Sequence, residues 1–323
     1  MAVRSLFISN SNNTSKQTFP IAAIITIILF IITMLFLGDT KMESKEKSEL
    51  LSTLSDMHKN NNVIYILTNS RAGWTFNDNN LDKLISANSG YRAVIFSING
   101  GIPRSFYGLL EFALLDAIRP QDAAVIFIAP EMLNRNSSFM SGCVEAFFRW
   151  KHFPELLTYG NYELIKKFLT GNSLPIMKYR TDITGAVDIT EGEGLDAGEK
   201  KELVLSRFKD DYLNNFKIDD YQLAVLKKTI KEINKANAKT IIVLPPFPDG
   251  LRNMIGPDMV QEYVKKISDI ASETGTELVD YVTNYSGKEY SYYDGSHFDP
   301  LSGKKYSEKF VSDLLQNLNE EKL

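Results

Sequence analysis

The chain has one cysteine, Cys143, in 323 residues. That excludes an intrachain disulfide framework and a cysteine-built zinc cluster, and leaves the redox compartment undecided. Histidine is nearly as scarce, with only His58, His152 and His297. His58 and His152 lie in segments without an Asp-x-x-His arrangement like that before His297. A glycine-rich phosphate loop of the nucleotide-binding kinds is missing, as is any internal repeat. There is no basic excess either: a net charge of −4 and a pI near 5.6 remove the electrostatic footprint of a nucleic-acid binder. No motif calls for a cofactor. Asp294, His297 and Asp299 sit on one short loop with no second cluster elsewhere, which speaks against a metal site.

What the chain does have begins with an uncharged run, residues 19–38 (FPIAAIITIILFIITMLFLG). Twenty residues at helical rise cover about 30 Å, the thickness of a bilayer's hydrocarbon core. The run lacks a polar stripe, and no small-x-small cleavage site follows it, so it reads as an uncleaved transmembrane anchor. Lys and Arg are nearly balanced on its two sides, and charge alone does not orient it. Residues 1–18 form a polar Asn/Ser-rich tail. Residues 39–60 read as a stalk helix, with Leu50, Leu51, Leu54 and Met57 at helical spacing.

From residue 61 to 323 the pattern alternates between strand and helix. Short apolar runs at 63–67 (VIYIL), 93–97 (AVIFS), 123–128 (AAVIFI), 240–244 (TIIVL) and 276–280 (TELVD) are the kind that buried parallel strands need. Helical periodicity falls between them at 79–88, 104–118, 220–236 and 257–274, and closes the chain at 303–319. This alternation predicts an α/β fold, a three-layer α/β/α flavodoxin-like parallel sheet. Residues 137–215 break the rhythm and read as an insertion or lid over one edge of the sheet.

Sites in such sheets lie at the carboxyl ends of the strands. The first strand runs into Thr68-Asn69-Ser70-Arg71, where Ser70 is either an N-cap or a nucleophile beside unsatisfied helix-terminal N–H groups. The second ends in Asn99-Gly100-Gly101, glycines that either turn the chain or lend an amide to an oxyanion. After the third comes Asn134, a turn residue or a second donor. Near the C-terminus stands Asp294-Gly295-Ser296-His297, in which the carboxylate can hold the imidazole in its proton-accepting tautomer. A plain turn capping the last helix is the competing account. Arg71 would pair with a substrate anion or with a protein carboxylate. Tyr290, Tyr292, Tyr293 and Phe298 flank the histidine and serve packing or sugar stacking.

A Ser after strand one, a Gly after strand two, a polar residue after strand three and Asp-x-x-His before the last helix resembles the SGNH (GDSL-like) hydrolase family over residues 63–319. The Ser-Arg pair and the apolar anchor are similar to its membrane-anchored group, the teichoic-acid D-alanylation and polysaccharide O-acetylation proteins. Thr68-Asn69-Ser70 replaces the usual Gly-Asp-Ser, and the Gly-x-Asn-Asp block is absent around Asn134. The resemblance implies a serine esterase or acyltransferase, with Ser70 as nucleophile, His297 as base and Asp294 as its orienting carboxylate. It implies oxyanion or substrate contacts from Gly100, Gly101, Asn134 and Arg71. It further implies a catalytic domain on the extracytoplasmic face of the cell membrane, with a glycan or glycopolymer substrate. A second reading is a non-catalytic adaptor with the same fold, docked to a multi-pass membrane O-acyltransferase.

Overall fold

The computed structural model describes residues 45–98, 100–136, 154, 202, 205–206, 209–210, 213, 215–284, 289–293 and 296–319. The expected transmembrane segment at 19–38 lies outside the described residues, and so does nearly all of the 137–215 insertion. Among the described residues no helix is long and apolar enough to cross a membrane.

The strands are β1 (Asn62–Asn69), β2 (Tyr91–Ile98), β3 (Ala123–Phe127), β4 (Lys239–Leu244) and β5 (Glu277–Asp280). They pair in parallel in the order β2-β1-β3-β4-β5, the doubly wound order expected from the alternation. Period-two alternation divides each strand between two cores. Val63, Tyr65 and Leu67 of β1 point into one apolar cluster, with Ala124, Ile126, Ile242 and Leu244. Ile64 and Ile66 point into the other, with Val125, Phe127, Ile241 and Val243. Burial on both faces is why these strands are apolar at nearly every position.

The first cluster is covered by α1 (Lys45–Met57), by α4 (Pro103–Leu109), by α5 (Asp220–Lys235) and by α7 (Pro257–Thr274). The chain continues from α4 through a π-helical turn, Leu110–Leu114, to Ala117. The second cluster is covered by α2 (Ser70–Asp78), α3 (Leu81–Asn88) and α8 (Pro300–Asn319). A short helix, α6 (Asp249–Ile255), leads into α7.

Two expectations change. The helix read as a stalk is docked on the domain: Leu54 is fully buried in the first cluster, and Lys47 pairs with Asp116 at 2.7 Å. His58, which had no visible partner in sequence, has one in space. Its Nε2 lies 2.8 Å from Asp122 Oδ2, with both side chains buried. Asp122 also accepts from the Val63 and Arg119 amides and from the Tyr65 hydroxyl. Val63, near the start of β1, and Asp122, just before β3, place this cluster at the amino edge of the sheet, away from the strand ends where a site is expected.

The 137–215 stretch leaves and rejoins the domain at one place. Asn136 Nδ2 donates to the Asn215 carbonyl at 2.8 Å, and Asn134 bridges Ile218 antiparallel. That junction follows the 3-10 turn Pro130–Leu133 at the carboxyl end of β3.

Candidate active site

β1 passes directly into α2, and the residue that caps the helix is Asn69. Its side-chain oxygen accepts from the Arg71 amide at 3.2 Å. The capping role open to Ser70 is therefore filled by its neighbour, and Ser70 is the first residue of the helix. Its hydroxyl stands at the α2 N-terminus, where unsatisfied N–H groups favour negative charge.

Helix α2 can lie this close to the sheet because residue 73 has no side chain. A Cβ built on Gly73 would fall 2.0 Å from Ser97 Oγ and 2.4 Å from Ser97 Cβ, at the end of β2. Gly303 of α8 packs similarly, with a built Cβ 3.2 Å from Thr75 Cγ2 on α2.

His297 is presented by a small hairpin. Tyr292 bridges Phe298, the Tyr293 amide donates to the His297 carbonyl at 2.8 Å, and the Asp299 amide donates to the Ser291 carbonyl at 3.1 Å. Aromatic rings fix this hairpin to α2. Tyr292 stacks on Phe298 and Phe298 on Tyr306, both with centroids 4.9 Å apart, and Tyr306 stacks on Phe76 of α2 at 5.9 Å. The flanking aromatics thus serve packing, save Tyr293, whose ring is exposed at the rim. Burial pushes the Tyr306 hydroxyl well above the usual phenol range, with Tyr290 and Tyr292 adding to the shift. Tyr306 is not a base at neutral pH.

The link between the two segments is Arg71. Its Nη1 donates to Glu131 Oε1 at 2.7 Å, and its Nε donates to the Ser296 carbonyl at 3.3 Å. Glu131 Oε1 also receives Asn69 Nδ2 at 3.3 Å. Arg71, Glu131 and Ser296 are all buried. Ser70 and His297 are therefore each one residue away from a buried hydrogen bond, from the Arg71 side chain to the Ser296 carbonyl, that joins their segments at the carboxyl edge. Ser296 Oγ lies 3.0 Å from His297 Nδ1, and Nε2 of the same ring is shielded from solvent.

The remaining expected residues sort by their hydrogen bonds. Arg71 bonds to protein partners, Glu131 and the Ser296 carbonyl, the second of the two roles open to it in sequence. The Gly101 amide donates to the Ile98 carbonyl at 2.8 Å, so this turn occupies the N–H expected of an oxyanion donor. Gly100, at the same turn, has φ +60°, the left-handed conformation that suits glycine. Asn134 is fully buried, and its Oδ1 accepts the Lys217 amide at 3.0 Å and the Asn136 amide at 3.3 Å. It closes the base of the insertion. Asp294 and its neighbour Gly295 lie outside the described residues, as do Asn99, His152 and Cys143. Two participants had no sequence signal as site residues, Glu131 and Ser296. A carboxylate four residues past β3 and an arginine two residues past β1 were the available clue.

Neither a family model nor a curated relative matches the chain. Several solved structures are similar to it. A GDSL-like lipase from Parabacteroides merdae is 12% identical, with 79% of this chain and 97% of that one covered and a TM-score of 0.42. A lipase/acylhydrolase from Enterococcus faecalis is 12% identical over 78% and 95%, with a TM-score of 0.41. An acetylxylan esterase from Geobacillus stearothermophilus is 14% identical over 78% and 93%, with a TM-score of 0.40. At this identity and superposition the likeness carries nothing about chemistry, which rests on the residues themselves.

Proposed function

We propose that this chain is a membrane-anchored serine esterase or O-acyltransferase acting on cell-envelope or exported polysaccharide through an acyl-serine intermediate. The observation that carries the reading is the Arg71–Ser296 hydrogen bond, which holds the serine and histidine segments together across the sheet edge. Asn69 supports it by taking the cap and leaving the Ser70 hydroxyl available.

In this reading His297 Nε2 removes the Ser70 Oγ proton as Oγ bonds to the acyl carbon. The oxyanion that forms accepts from the amides of Ser70 and Gly100. Collapse breaks the acyl C–O bond, and the leaving alcohol takes the proton from His297. Water or a sugar hydroxyl then gives its proton to His297 as it attacks the acyl carbon, and His297 returns that proton to Ser70 Oγ as the acyl–serine bond breaks. Asp294 orients the imidazole throughout. The apolar run at 19–38 tethers the domain, concentrating it near nascent or lipid-linked glycans.

The test is labelling of the full chain in detergent with a fluorophosphonate serine probe. Labelling that disappears in Ser70→Ala is expected. A folded chain that takes no label overturns covalent catalysis and leaves the adaptor reading in its place.

A further inference from the structure

We propose that Glu131, Arg71 and Ser296 act as a positioning relay that fixes the backbone and ring of His297 relative to Ser70. The proposal rests on the serine-hydrolase reading, but it concerns residues that reading does not need by chemistry alone.

The relay is continuous. Glu131 Oε1 accepts from Arg71 Nη1 at 2.7 Å, Arg71 Nε donates to the Ser296 carbonyl at 3.3 Å, and Ser296 Oγ lies 3.0 Å from His297 Nδ1. A guanidinium is planar and its N–H directions are fixed, so one bond to Glu131 aims the other at Ser296. Lysine has the charge but not this fork. Glu131 is also held by Asn69, the residue before Ser70, so the same carboxylate references both halves of the site. All four partners have low exposure: Asn69 5%, Arg71 8%, Glu131 2% and Ser296 2%. Away from water such bonds hold direction well, and a buried arginine already paired to a carboxylate is costly to redirect to a ligand.

Ser296 completes the relay at the ring. For His297 to accept a proton at Nε2, Nδ1 must carry one, and Ser296 Oγ is placed to accept the Nδ1–H. Asp294 supplies charge to the imidazole in the serine-hydrolase reading. Ser296 supplies a second, neutral contact on Nδ1, and its own carbonyl is pinned by Arg71. The sequence Asp-Gly-Ser-His therefore holds two orienting groups on one loop.

The experiment uses the full chain in detergent micelles with p-nitrophenyl acetate, a neutral ester, and with an anionic aryl ester. Arg71→Ala is expected to lower kcat about 100-fold on both esters with KM within about twofold, because a small misplacement of the base affects turnover and not binding. Guanidinium ion is expected to restore at least about tenfold of that loss, and Arg71→Lys is expected to fold while remaining unrescued. Ser296→Ala is expected to lower kcat about tenfold. It is also expected to shift the 15N resonances of His297 away from the Nδ1–H tautomer. Those resonances are assigned by their loss in His297→Gln.

A KM rise confined to the anionic ester in Arg71→Ala would make Arg71 a substrate contact and overturn the relay. An unchanged His297 spectrum in both Arg71→Lys and Ser296→Ala, with a shift only in Asp294→Asn, would overturn it as well. The spectrum needs no turnover. A chain without esterase activity whose His297 resonances still respond to Arg71 and Ser296 keeps the relay and loses the catalytic reading.

Discussion

Asn69 Oδ1 caps the helix that begins at Ser70, accepting from the Arg71 amide at 3.2 Å. Two adjacent residues, both good helix caps by type, have thus divided cap and hydroxyl between them. Ser70→Ala is expected to leave the melting temperature within about a degree while abolishing fluorophosphonate labelling. Asn69→Ala removes the cap and one donor to buried Glu131, and is expected to cost about 2 kcal/mol in urea unfolding. Equal stability losses for the two variants would show that Ser70 shares the cap.

Gly73 is the second test of how α2 is seated. A Cβ there would overlap Ser97 Oγ and Cβ, and the Cβ is fixed to the backbone of the edge strand β2, so it cannot swing aside. Gly73→Ala is expected to destabilise by about 1–3 kcal/mol and to reduce turnover, since Ser70 moves with the helix. Gly73→Ala combined with Ser97→Gly is expected to recover most of both losses. A double-mutant cycle with no coupling would mean that the two backbones do not approach this closely.

Much of the fold was legible because both sheet faces are buried. Runs such as Val63-Ile64-Tyr65-Ile66-Leu67 and Thr240-Ile241-Ile242-Val243-Leu244 stay apolar at successive positions, and that signal survives without long-range information. The half-buried edge strand β5, Glu277–Asp280, was still marked by its place after a long amphipathic helix. Long-range pairing was not legible. Asp122 is 64 residues from His58, and no local pattern joins them. For Arg71 a protein carboxylate was the commoner partner in sequence, but which carboxylate was not legible, because Glu131 lies 60 residues on. Leu54 looked like one side of a free stalk because spacing alone shows an apolar stripe but not what covers it.

The His58–Asp122 cluster joins α1 to the amino edge of the sheet and serves stability. Asp122 Oδ2 faces His58 Nε2 at 2.8 Å, the Arg119 amide at 2.8 Å and the Tyr65 hydroxyl at 3.4 Å. Burial raises the Tyr65 hydroxyl far above its ordinary range, and Asp122 raises it further, so Tyr65 remains a donor. Asp122→Asn can turn an N–H toward donors and is expected to cost about 3–5 kcal/mol. His58→Ala removes one partner and is expected to cost about 2 kcal/mol. Folded protein from either variant should keep its Ser70 labelling rate. A labelling rate that falls in proportion to stability would tie this edge to the site.

Asp219 caps α5 by accepting the Tyr221 amide at 3.1 Å, while its Oδ2 is buried with no hydrogen-bond partner among the described residues. Burial raises its pKa above the usual carboxylate value, outweighing the lowering by the Tyr221 amide and Arg135. A carboxyl whose folded pKa exceeds its unfolded one binds its proton more tightly when folded. Its ionised form therefore weakens the fold at neutral pH, and that penalty fades as pH falls through the folded pKa toward the unfolded one. Asparagine caps as well as aspartate but has no charge to bury. Asp219→Asn is expected to raise the melting temperature at pH 7 and to match the parent near pH 4. Asp219→Ala, which loses the cap as well, is expected to fall below Asp219→Asn by about 1 kcal/mol at every pH. Asp219→Asn melting below the parent at pH 7, with the gap closing on acidification, would mean that the carboxylate is favoured by the α5 N-terminus and not penalised by burial.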